Sequence, residues 1–73
     1  MSRNMMRIFQ ERLKEQRKLY RLTQREMADK LNISQPSYIR YENGSSEPTF
    51  ENLLKIAEIF DVSVDYLLGR KDI

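Results

Sequence analysis

Residues 23–44 carry the start and stop signals of two short helices with a three-residue break between them. That spacing restricts the fold more than any other feature. Thr23-Gln24-Arg25-Glu26 is a capping box, in which the Thr23 oxygen accepts from the Glu26 amide and the Glu26 side chain reaches back to the Thr23 amide. Apolar groups follow at Met27, Ala28 and Leu31, and Asn32, a residue type that tolerates left-handed backbone, ends the run. Ser34 caps the next helix. Pro36 is accommodated in its first turn, where the missing N–H has no intrahelical partner, and Gly44 stops it near Asn43. Two helices this close must cross steeply, which needs a small residue at the approach, a left-handed turn residue and apolar inner faces. Ala28, Asn32 and the set Met27, Leu31, Ile33, Tyr38 and Tyr41 supply them.

Three more helices surround this pair. Met6, Phe9, Leu13 and Tyr20 fall at steps of three, four and seven, predicting a first helix over residues 6–20. Thr49 caps a fourth helix to Phe60, with Phe50, Leu53, Leu54, Ala57 and Phe60 expected on one stripe. Ser63 caps a short fifth helix carrying Val64, Leu67 and Leu68 before Gly69. No segment alternates with period two. The expectation is an all-α, compact five-helix domain, residues 1–73 as one unit, because 73 residues leave room for no second core.

Composition removes most catalytic readings. The chain has no cysteine and no histidine, so thiolate chemistry, disulfides and the commonest neutral-pH base and metal ligand are missing. Glu11, Glu15, Asp29 and Glu58 lie on exposed helical faces with no nucleophile or cofactor motif to serve. The expectation is no enzyme, no cofactor and no metal. Leu53–Phe60, the longest apolar stretch, is broken by Lys55 and Glu58, far short of the roughly 20 residues of a membrane span. The amino end lacks the apolar run of an export signal, and a cytoplasmic location is expected. Charge is distributed unevenly. Residues 1–45 hold ten basic side chains against five acidic, and residues 46–73 hold three basic against six acidic. A basic face on a small domain is the footprint of a nucleic-acid binder, because Lys and Arg replace counterions condensed on phosphates.

The face of the third helix follows from its pitch. With Gln35 as zero and about 100° per residue, Pro36 lies near 100°, Ile39 near 40° and Arg40 near 140°, whereas Tyr38 and Tyr41 point inward. Gln35, Pro36, Ile39 and Arg40 therefore share the outer face.

Thr23-Gln24, Ala28, Asn32, Ser34-Gln35, Tyr41-Glu42-Asn43-Gly44, Pro48 and the closing segment Val62–Gly69 stand in one register over residues 6–69. In this the chain resembles the phage repressor/Cro-type helix-turn-helix family of transcription factors. The resemblance implies a lambda-repressor-like domain with the motif at about residues 24–43, and a recognition helix at 35–43 that enters the major groove of double-stranded DNA. Gln35 is the foremost base reader it implies, able to pair bidentately with adenine. Arg40 is placed to reach guanine or a phosphate. Ile39 and Pro36 are candidates for a thymine methyl, although an exposed aliphatic side chain at Ile39 needs no special role. Gln24 and Asn43 carry over as phosphate contacts, with Thr23 and Ser37 beside them. For Thr23 the capping role is sufficient alone. Arg17 and Glu42 match positions that form an ion pair between the first and third helices, a structural role.

Three positions depart from the family pattern. Gln16 stands where many relatives carry an aliphatic residue, Tyr38 where Ile or Val is usual, and Ser45 where Lys or Arg frequently faces phosphate. The first two imply a repacked or partly wet core. The third removes a cation, leaving more of the affinity to dimerisation or to the basic residues of the first two helices, such as Arg21 and Arg25. A homodimer is expected, since one small module buries limited surface on DNA. Val62, Val64, Tyr66 and Ile73 are candidates for its interface, with Val64 and Tyr66 serving equally well in the core. Met5, Met6, Ile8 and Phe9 exceed what one helical stripe needs and suit either core or partner. The function expected is a sequence-specific repressor or repressor-like regulator. The competing reading is an antitoxin or other protein-interaction module that binds DNA secondarily. Ending at Ile73, the sequence fits a complete regulator or the amino-terminal part of a longer one.

Overall fold

The computed structural model describes residues 1–73 as five helices and no strand: α1 (Arg3–Leu19), α2 (Gln24–Leu31), α3 (Gln35–Asn43), α4 (Phe50–Phe60) and α5 (Val64–Leu67). Every helix begins the same way. Ser2, Thr23, Ser34, Thr49 and Ser63 each accept from the backbone amide three residues on, at 3.1, 3.0, 3.2, 3.1 and 2.9 Å. The capping box of α2 is complete, with the Thr23 amide donating to Glu26 Oε1 at 2.8 Å. Ser2 moves the start of α1 ahead of the expected Met6, because a capping serine can begin a helix before its apolar stripe begins.

Every helix is also followed by one left-handed residue, in turn Arg21, Asn32, Gly44, Asp61 and Gly69. Beyond four of them an amide folds back five residues, from Leu22 to Arg17, Ile33 to Ala28, Val62 to Ala57 and Arg70 to Asp65, at 3.0, 3.0, 3.0 and 2.8 Å. This closure satisfies carbonyls that a helix end otherwise leaves open. Asn32, Gly44 and Gly69 act as the residue types suggest.

One cluster of 13 buried side chains runs through all five helices, from Met6, Phe9 and Leu13 on α1 to Leu67 on α5. Met27, Ala28, Leu31, Tyr38 and Tyr41 lie in it as expected, and Ile33 packs against its edge. The α4 stripe is rotated from the expected one. Leu53, Ile56, Ala57 and Phe60 face the core, whereas Phe50 is 88% exposed and Leu54 56%. Two overlapping sets on α4 satisfy the same helical spacing, one from Phe50 and one from Leu53, and only packing selects between them. Tyr20 likewise lies beyond α1 and is half-exposed, its ring 5.3 Å from Phe60 and its hydroxyl donating to the Phe60 carbonyl at 2.9 Å. Val62, Val64 and Tyr66 pack against the core, and the Arg12 guanidinium stacks 4.4 Å from the Tyr66 ring centroid. Ile73 is exposed. Met6 and Phe9 are core, and Ile8 covers Gly69, so that a Cβ there would meet the Ile8 side chain at 2.7 Å.

The α4 rotation predicts unequal costs for two phenylalanines on one helix. Phe60→Ala is expected to cost about 3–5 kcal/mol and Phe50→Ala less than about 0.5 kcal/mol, compared by chemical denaturation.

Candidate nucleic-acid interface

The recognition face begins at the turn between α2 and α3, where Asn32 adopts φ 56° and ψ 43°. Ser34 accepts from the Ser37 amide and donates to the Ser37 hydroxyl at 2.9 Å. Along α3, Tyr38 and Tyr41 turn into the core, with Tyr38 fully buried, and Pro36 and Arg40 are exposed. Gln35, Ser37 and Ile39 are half-buried, accessible but framed by neighbours. Gln35, Pro36, Ile39 and Arg40 thus form one continuous outer row. Arg40 enters no ion pair.

Ile39 also lines an open cleft together with Lys14, Arg17 and Lys18 of α1, Gln24 of α2, and Glu42 and Asn43 of α3. Its base is a buried network centred on Glu42. Arg17 donates through Nε to Glu42 Oε2 at 2.6 Å and through Nη2 to Oε1 at 3.2 Å. Gln24 Nε2 donates to Oε1 at 3.2 Å, and the Tyr38 hydroxyl donates to Oε2. Arg17 Nη1 also holds the Leu22 carbonyl at 3.0 Å. Burial alone would push the Glu42 carboxyl up, but the bonds from Arg17, Tyr38 and Gln24 hold it below its ordinary value of 4.5. Burial and the adjacent Glu42 push the Tyr38 hydroxyl up, and the bond to Glu42 raises Arg17. All three keep their expected charge. Tyr38 therefore replaces the usual aliphatic residue without leaving its hydroxyl unpartnered. Gln16 meets the Tyr66 hydroxyl at 3.4 Å at the core's edge.

The expected phosphate ligands retain usable donors. Asn43 spends its side-chain oxygen on the Ser45 amide at 2.9 Å, which leaves its NH2 group free. Thr23 accepts at its hydroxyl within the capping box and keeps an O–H to donate. Gln24 is partly committed, since its NH2 already serves Glu42 and one N–H remains. Lys14 and Lys18 fall among the basic residues of the first helix that the sequence pointed to, but were not singled out there. Neither enters an ion pair, and both line the cleft. Their spacing of four residues, flanking Arg17, was the available signal.

The helix-turn-helix family model matches residues 13–67, and the chain belongs to that family. Over 61 residues, 84% of this chain, it is 54% identical to the HTH-type transcriptional regulator YqaE of Bacillus subtilis. Over 60 residues, 82% of this chain, it is 52% identical to the cryptic phage CTXphi transcriptional repressor RstR of Vibrio cholerae. The chain spans about half the length of these relatives, 53% and 54%. Among solved structures, the P22 c2 repressor in complex with a synthetic operator matches with TM-score 0.79 and 28% identity, over 86% of this chain and 96% of that one. A transcriptional regulator from Listeria innocua matches with TM-score 0.79 and 31% identity, over 84% and 57%. No helix is long and apolar enough to cross a membrane.

Because the folded-state value of Glu42 is depressed, its contribution to stability is full above the unfolded value and is lost as pH falls below about 4.5. Tyr38→Phe removes one donor, so the midpoint of acid unfolding should move to higher pH, as followed by circular dichroism. Glu42→Ala strands Arg17 and should cost about 3–5 kcal/mol at neutral pH.

Proposed function

We infer that the chain is the DNA-binding unit of a transcriptional regulator, a repressor that occupies an inverted-repeat operator as a homodimer. In this reading residues 1–73 act as one unit, and α3 lies in the major groove. The observation that carries it is the continuity of two surfaces. The outer row of α3 runs through Ile39 into a cleft whose unpaired cations and spare amide donors suit phosphate. The match to a repressor whose solved structure contains an operator supports the same assignment.

Gln35 reads a base, and Pro36, Ile39 and Arg40 complete the reading row. Lys14, Lys18, Gln24 and Asn43 hold the backbone, with Thr23 and Ser37 at the helix starts. Ile39 occupies the rim between the two surfaces, where it touches either a thymine methyl or sugar. No catalytic step and no cofactor enters this mechanism. Occupancy of a promoter by a cytoplasmic protein is sufficient for regulation.

Selection of duplexes from a random library by the 73-residue chain tests the reading. An enriched inverted repeat with half-site centres about one helical turn apart is expected. Binding to no duplex would overturn the reading and favour a protein-interaction module, such as an antitoxin. On the enriched site, Gln35→Ala should cost about 1–3 kcal/mol and relax preference at one position. Lys18→Ala should instead weaken all duplexes alike and reduce the salt slope by about 0.9. Anisotropy titrations at several salt concentrations separate the two effects.

A further inference from the structure

Arg21 is the one left-handed terminator whose residue type does not suit the conformation. Gly44 and Gly69 have no Cβ, and Asn32 and Asp61 are short polar residues that tolerate this region, whereas Arg21 adopts φ 58° with a long side chain. Its amide and the backbone of the next residue are both engaged. The Arg21 amide donates to the Lys18 carbonyl and the Leu22 amide to the Arg17 carbonyl, both at 3.0 Å, and Arg17 holds the Leu22 carbonyl from the other side. The turn is therefore fixed by α1 and Arg17, and it imposes left-handed backbone on whatever residue occupies position 21.

No ion pair or side-chain hydrogen bond within the protein calls for an arginine there. Arg21 is exposed and enters no ion pair. Its position explains more. It stands three residues after Lys18 and three before Gln24, and both of those line the basic cleft beneath α3. At the far side of α3, the loop that follows carries Ser45 and Ser46 and no cation. Backbone strain retained at one position, with no compensating contact in the free protein, points to a contact made in a complex.

We propose that Arg21 binds a DNA backbone phosphate, extending the row of Lys14 and Lys18 beyond the end of α1 toward the start of α2. This rests on the DNA-binding reading above. The contact supplies at the α1–α2 turn a cation that the α3–α4 loop lacks, and it carries no sequence information.

Arg21→Gly separates the two roles, because glycine relieves the backbone while removing the charge. Wild type, Arg21→Gly, Arg21→Asn and Arg21→Lys would be compared by thermal melting. Each would also be titrated against the duplex enriched by selection and a scrambled duplex of equal length, between about 50 and 200 mM salt. The glycine variant should melt about 4–8 °C higher, yet bind both duplexes about three- to tenfold more weakly, with a salt slope shallower by about 0.9. Asparagine should lose the same affinity, and lysine should keep the slope. Unchanged affinity and slope in Arg21→Gly, beside normal wild-type binding, would overturn the Arg21 contact and leave the DNA-binding reading standing. A loss confined to the selected duplex, or a melting temperature that falls together with affinity, would also overturn it. Wild-type protein that binds neither duplex would overturn both readings.

Discussion

The Glu42 carboxylate is the point on which the placement of the recognition helix depends. It is buried where α1, α2 and α3 meet, and it accepts from Arg17, Gln24 and Tyr38, one residue on each of those helices. Helices of eight and nine residues do not persist alone in water, so α2 and α3 take their orientation from tertiary contacts. Apolar packing fixes the depth of α3 through Tyr38 and Tyr41 but is tolerant of small rotations. Directional bonds to a saturated carboxylate are not. With four donors on its two oxygens, Glu42 has little capacity left for an incoming group. It does not compete with phosphate for Gln24 or Arg17 by changing partners.

Most of the fold was legible because it is written locally. Capping residues and helical spacing act within four residues, so the starts of α2 to α5 and the turn at Asn32 could be read directly. What escaped reading was set by partners distant in sequence. The choice between the Phe50 and Leu53 stripes of α4 is made by what packs on it. Arg21 is of a type that does not suit left-handed backbone, so residue type gave no warning there, and Asp61 is of a type that tolerates it without marking it. Their conformations come from the closing bonds of Leu22 to Arg17 and Val62 to Ala57.

The candidate interface divides the same way. The outer row Gln35, Pro36, Ile39 and Arg40 follows from helical pitch within one element, and it stands accessible on α3. The cleft does not follow from any single element. Lys14 and Lys18 belong to α1, and they border Gln24 and Asn43 only after the helices pack. The expected pairing of Arg17 with Glu42 came from family resemblance, and the structure forms it at 2.6 Å. Gln24 as a third helix's donor to the same carboxylate was not foreseen, because a glutamine's partner cannot be read from its residue type.

These facts separate stability from recognition along α3. Its inner face is committed to Tyr38, Tyr41 and Glu42, and a change there disturbs the helix and everything it presents. Its outer face contributes little to the core, since Pro36 and Arg40 are exposed and Gln35 is only half-buried. On the proposed reading, substitutions on that face alter which bases are read while the scaffold remains intact. The cleft residues are intermediate. Gln24 belongs to both the Glu42 network and the cleft, whereas Lys14 and Lys18 line the cleft and lie outside the network. On the proposed DNA-binding reading, a scaffold arranged in this way can change its operator without rebuilding its core, because the outer row of α3 is separate from the residues that position the helix.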